Sequence, residues 1–134
     1  MSEPIPQDPR LRQHPHERFA APQMAIDLQT MIASLRSEPH AGERGHRQET
    51  LYHHGSTTIA LFAFDRFTDL PEHKANGTVS MHVLRGCLKI TAAGQVHELR
   101  AGQILFLAPG VPHAVAAEEE SEMLVTVHLN QAAP

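Results

Sequence analysis

Tryptophan is absent, aromatic residues make up only 4% of the chain, and a single cysteine stands at position 87. Any core that forms must therefore be built mostly from aliphatic side chains. A lone cysteine excludes an internal disulfide, and equally a thiolate metal cluster, since each needs a second sulfur. Basic runs are missing too. Eleven Lys and Arg stand against fifteen Asp and Glu, for a formal charge of -4, which argues against a nucleic-acid partner. No apolar run approaches the roughly 20 residues of a membrane helix, and the opening MSEPIPQDPRLR lacks the apolar core of a signal peptide. The expectation is a cytoplasmic chain with no membrane partner.

What is present fits one ordinary core: 134 residues, 41% hydrophobic and 19% charged, with no interior linker on which to divide the chain. Residues 1–22 carry five of the ten prolines, Pro4, Pro6, Pro9, Pro15 and Pro22, and little that is apolar, so they read as a flexible arm. Met24, Leu28, Met31, Ile32 and Leu35 recur at spacings of three and four, which predicts an amphipathic helix within 23–37.

A polar loop follows, and then short strand-like runs separated by turn signals: 49–53, 57–67, 78–84, 87–91, 96–99, 104–107, 113–116 and 123–129. Many short strands without alternating helices indicate an antiparallel sandwich or barrel over 48–130. The run from Thr57 to Phe67 is apolar on both faces, which requires a cover from the helix or from a second subunit. Glu118 to Glu122 reads as a solvated acidic turn.

Within this pattern, the stretch from Leu70 to Ala117 resembles the single-domain cupins, small jelly-roll barrels marked by G(X)5HXH(X)3,4E(X)6G and then G(X)5PXG(X)2H(X)3N. His73 and Gly86 match the first motif, while its leading glycine falls on Phe67, its second histidine on Ala75 and its glutamate on Val79. Gly102, Gly110 and His113 match the second motif, while its proline falls on Ala108 and its asparagine on Ala117. Fifteen residues separate Gly86 from Gly102, as in the shortest microbial cupins. The resemblance implies an all-β cupin jelly-roll barrel, preceded here by the helix and the proline-rich arm.

The resemblance also implies a divalent transition metal held inside the barrel by two histidines, a glutamate and a third histidine. His73 and His113 are the members of that set that remain. Two imidazoles are fewer donors than catalytic zinc or non-haem iron usually takes, so the chain is expected to bind a small molecule and to hold no metal, with His73 and His113 as the ligands if one binds. The ligand-lining residues are then His73, Met81, Val83, Leu105 and His113, polar at the mouth and apolar within. Two other readings stand beside this one: a metal-dependent oxygenase or isomerase using the two histidines, and a structural homodimer. A homodimer is expected in every case, because the doubly apolar strand needs its cover. No catalytic residue is assigned. Cys87 has no activating neighbour in sequence and reads as a small buried hydrophobe.

Overall fold

The structure is a computed structural model that describes residues 21–39 and 45–130. Most of the arm expected at 1–22 and the middle of the loop after the helix lie outside the described residues. Among the described residues, one helix, α1 (Leu28–Arg36), precedes nine strands: β1 (His46–His54), β2 (Thr57–Phe64), β3 (Thr68–His73), β4 (Gly77–Arg85), β5 (Cys87–Ala92), β6 (Gln95–Arg100), β7 (Ile104–Leu107), β8 (His113–Ala117) and β9 (Ser121–Leu129). They form two antiparallel sheets, ordered β1-β2-β9-β4-β7 and β3-β8-β5-β6. This is the expected jelly roll.

Strand alternation sends Val79, Met81 and Val83 of β4, Leu88 and Ile90 of β5, Val115 of β8, and Met123 and Val125 of β9 into one core between the sheets. The core is aliphatic, as the composition demands, with Phe64 the one fully buried aromatic among the described residues. The opposite face of the five-stranded sheet is also apolar over part of its area, where Leu61 and Ala63 pack with Leu35 and Leu51 into a second cluster. Leu28, Met31 and Ile32 of α1 close over it. The helix is therefore a cover of the doubly apolar strand.

That helix is shorter than the expected 23–37. It starts at Leu28, with Asp27 at the N-cap position in an extended conformation and accepting a 2.6 Å hydrogen bond from Thr30 Oγ1. Met24 and Ile26 belong to the apolar pattern but precede that cap, and each is 44% exposed. At the other end, Arg36 ties the helix to the barrel. Its Nε and Nη2 reach Glu122 Oε2 at 3.0 and 2.5 Å, and Nη2 also donates to the carbonyls of Phe64 and Ser121 at 3.0 and 3.1 Å.

Arg85 grips the same carboxylate from β4, Nε to Oε1 at 2.7 Å and Nη2 to Oε2 at 2.6 Å. Glu122, read from the sequence as part of a solvated turn, thus has a side chain only 1% exposed. Burial pushes its carboxyl pKa up, but hydrogen bonds from Arg85 and Arg36 outweigh burial and hold it below the ordinary carboxylate value. The same pairing with Glu122 raises the Arg85 pKa.

Two turns keep the backbone geometry of the motif glycines. Gly86, between β4 and β5, has φ +87°, and a Cβ there would run into Ser121 and the backbone of Glu120. Phe67, between β2 and β3, takes φ 61° without being glycine. The position aligned with the motif's leading glycine therefore keeps a left-handed backbone although the residue has changed.

A candidate ligand site at the barrel mouth

The strand β3 had no counterpart among the expected strands. Its Asp69, Pro71 and Glu72 interrupt any apolar alternation, and proline cannot donate to a ladder. It forms because it is the edge of the four-stranded sheet, paired among the described residues only with β8. Leu70 pairs with Val115 and His73 with His113, so three steps along β3 oppose two along β8. The extra residue at Pro71-Glu72 is a bulge, and it reverses the alternation beyond it. Leu70 packs on the core. Strict alternation from there would turn His73 to the outer face, and the bulge instead brings it across from His113.

The two imidazoles meet edge to face with ring centroids 4.3 Å apart. His113 is 3% exposed, and His73 sits at the rim. Their orientation is set by one device used twice. His73 Nδ1 lies 3.0 Å from the carbonyl oxygen of Pro71, and His113 Nδ1 lies 3.0 Å from that of Val111. A carbonyl only accepts, so Nδ1 is the donor in each ring, and Nε2 is the nitrogen that the backbone leaves unused. Among the described residues, neither Nε2 has a hydrogen-bond partner.

The loop before β8 is fastened over this end of the barrel by the Gly110 amide, which donates to the Ala75 carbonyl at 2.9 Å. Leu70, Ala75 and Val111 form a partly buried apolar margin on the core beneath. Glu72, Lys74, Gly110 and Pro112 join His73 around a depression of about 290 Å³. Of these rim residues the sequence marked His73 as a ligand contact and Gly110 as a motif glycine, but not Glu72, Lys74 or Pro112 as part of a rim. The signal was a proline one or two residues before each histidine, in Pro71-Glu72-His73 and Val111-Pro112-His113.

The donor set of a cupin metal site does not fit here. Val79 is 5% exposed within the core, and Ala75 packs against it, so hydrocarbon fills both positions where the motif places ligands. Other candidate ligands lie elsewhere. His82 pairs in register with Leu124 and Ile104 on the outer face, His128 bonds Thr57, His97 lies opposite Ile90 on β6, and Asp65 is held by Arg36 and Arg47. Among the described residues, no group of three or more His, Cys, Asp or Glu is placed to hold an ion.

The remaining residues expected to line a ligand are in the interior. Met81 and Val83 are buried to 2% and 0% exposure, and Leu105 is partly buried against the same cluster. They belong to the packed core and do not line the depression beside His73. Cys87 faces the other side of its sheet, with Sγ 3.4 Å from Glu98 Oε1. Burial first, and then that carboxylate, push its thiol pKa up, so it is a poor nucleophile.

Residues 67–129 match the family model described as the cupin domain. No curated protein matches the chain. Among solved structures, a conserved protein of unknown function from Streptococcus pyogenes superposes with a TM-score of 0.65 at 24% identity, covering 81% of this chain and 90% of that one. A cupin superfamily protein from Desulfitobacterium hafniense gives 0.64 at 24%, covering 72% and 88%. Salicylate 1,2-dioxygenase from Pseudoaminobacter salicylatoxidans gives 0.62 at 13%, covering 75% of this chain and 30% of the enzyme. At these identities the likeness is one of fold. No helix among the described residues is long and apolar enough to cross a membrane.

Proposed function

Because residues 67–129 form a cupin domain, we propose that the chain is a cytoplasmic small-molecule-binding cupin whose ligand seats at the barrel mouth on His73 and His113. One observation carries this reading: two imidazoles meet at the mouth, each with its Nδ1 proton already held by a backbone carbonyl. Leu70, Ala75 and Val111 supply partly buried apolar surface on the core at this end of the barrel. A few fixed polar groups over an apolar wall are what a small-molecule site requires. The test is to titrate small polar and mixed molecules into the full chain while following melting temperature and the imidazole NMR signals. A ligand of this site stabilises the fold and moves the His73 and His113 resonances together. A broad panel that does neither refutes the proposal.

One observation favours a second reading, a metal-dependent enzyme of oxygenase or isomerase type. A carbonyl behind each Nδ1 is also how metal-ligating histidines are commonly oriented. Metal content of the untagged chain separates the two. A stoichiometric ion that is lost on His73→Ala supports the metal reading, and unchanged trace metal refutes it.

We also propose that the chain forms a homodimer through the part of the outer sheet face that α1 leaves open. Ile59, Ser80 and Thr126 line up there in register with Phe106, which is 74% exposed beside Ile104 at 43%. That row carries no ionised group, so two copies can meet face to face about a two-fold axis without stranding a charge. Light scattering should give twice the monomer mass at micromolar concentration, and Phe106→Glu should halve it. A monomeric unmodified chain overturns the dimer.

A further inference from the structure

The outer sheet face that α1 leaves open has no carboxylate, lysine or arginine along its middle, but histidines stand around it. Cross-strand pairing arranges its side chains in rows. The central row runs through Tyr52, Ile59, Thr126, Ser80 and Phe106 on β1, β2, β9, β4 and β7. One flank is the row His54, Thr57, His128 and Thr78. On the other flank, toward α1, His82 stands between Leu124 and Ile104.

Resting on the homodimer proposed above, we propose that this face is a pH-gated surface for self-association. Two copies of the chain join through it in neutral solution and part in mild acid, as His54, His82 and His128 take up protons.

Histidine is the side chain whose charge ordinarily changes between about pH 5 and 8. While the three are neutral, two copies meet without stranding a charge. Protonated, they place three positive charges on the patch, and two-fold pairing doubles that number. Like charges set against each other at an interface oppose the contact.

His128 is the best placed of the three. With Phe106 and Thr126 it lines a depression of about 450 Å³, and it is the one ionisable group among the described residues of that lining. Its Nδ1 lies 3.0 Å from Thr57 Oγ1. A hydroxyl can donate to a neutral ring or accept from a charged one, so the ring keeps its place while its charge changes. His54 stacks on Tyr52 with ring centroids 6.5 Å apart, at the end of the central row.

The charged groups packed around these histidines do not offset them. Thr57 and Thr78 face His128 from β2 and β4, and Thr57 faces His54. His53 pairs with Thr58 on the other face of the sheet. Glu49 opposes Leu61 in the row of His82 but lies on β1, three strand spacings or about 14 Å away. Glu122, diagonal to His82, is gripped by Arg36 of α1 and Arg85 of β4.

The experiment measures the dimer dissociation constant of the full chain by sedimentation equilibrium in neutral and mildly acidic buffer, with circular dichroism confirming the fold in each. A histidine of ordinary pKa, about 6.5, that must stay neutral in a dimer weakens it about tenfold between about pH 7.5 and about pH 5.5. Each histidine counts twice by symmetry, so exclusion of charge from His128 alone gives about a hundredfold, and from all three more. The variant His54→Gln/His82→Gln/His128→Gln should dimerise equally in both buffers. Should it melt early, His128→Gln is used in its place and should recover about a hundredfold in acid.

A dimer equally tight in both buffers overturns the gate and leaves the homodimer standing. Acid dissociation undiminished in the histidine variant overturns the assignment to these side chains. A chain that stays monomeric in neutral buffer overturns the homodimer, and the gate with it.

Discussion

Replacing Glu122 with Gln should separate what holds α1 to the barrel from what merely touches it. Four hydrogen bonds converge on this carboxylate, from Arg36 Nε and Nη2 at 3.0 and 2.5 Å and from Arg85 Nε and Nη2 at 2.7 and 2.6 Å. Gln has the same volume and keeps one acceptor oxygen, but its amide group would face guanidinium N–H groups, donor against donor. Removing one member of a buried ion pair costs about 3–5 kcal/mol.

The two arginines are not equally stranded by the change. Arg85, whose side chain is 54% exposed, regains water, whereas Arg36 is 19% exposed. Arg36 still keeps its carbonyl partners and Asp65 at 3.4 Å. The loss should therefore fall near the low end, about 3 kcal/mol. At roughly 3–5 °C per kcal/mol for a chain of this size, melting should drop by about 10–15 °C.

Urea unfolding of Glu122→Gln, Arg36→Met and the double variant then closes a cycle. Coupling between the two positions should be about 2 kcal/mol. A loss below about 1 kcal/mol for Glu122→Gln, or simple additivity in the double variant, would refute the claim that this charge cluster pins the helix.

The same carboxylate predicts a pH dependence. Its folded pKa lies below the ordinary value, so its contribution is complete above the unfolded value of about 4.3 and is lost as pH falls through the folded one. Unfolding curves of the unmodified chain and Glu122→Gln should therefore converge in acid, and a constant gap down to the lowest pH at which both fold would contradict this. Phe67→Gly relieves a left-handed backbone, φ 61°, at a side chain 73% exposed. It forfeits the stacking of Arg66 at 4.6 Å, yet should be neutral or stabilising by up to about 1 kcal/mol, read as a rise in the urea midpoint; a clear fall would assign the ring a packing role. Gly86→Ala adds a methyl against Ser121 and the Glu120 backbone at φ +87° and should cost about 2 kcal/mol or more. A melting temperature within a degree of the unmodified chain would mean that this turn relaxes freely.

The barrel was legible in the sequence because its central strands carry their own signal. Val79, Met81 and Val83 alternate with polar partners, and glycine stands at several of the sharp reversals, 86 and 102 among them. The glycines at 86 and 102 report a backbone state, φ +87° at both, that few other residues take. Where the pattern failed, long-range contacts had decided the outcome. Pro71 and its charged neighbours look like a loop until β8 supplies a pairing edge. Glu122 looks solvated until Arg36 arrives from 86 residues away. Met24 and Ile26 extend the helical period, but the cap at Asp27 cuts them off. His73 and His113 could be named from the motif. Their pairing could not, since one inserted residue sets the parity of His73 and nothing in a local window counts it.

That inserted residue gives the site an unusual genetic lever. Substitutions tune a pocket by degrees, but deleting both Pro71 and Glu72 would leave His73 one step from Leu70 and swing it to the opposite face, whereas deleting one of them would remove the bulge and keep His73 across from His113. The core, whose buried members lie on other strands, would scarcely register the loss. Length at 71–72, more than residue identity there, is the variable that switches this mouth between a two-imidazole site and a bare jelly roll. Related barrels can be sorted by counting residues between the end of β2 and their counterpart of His73.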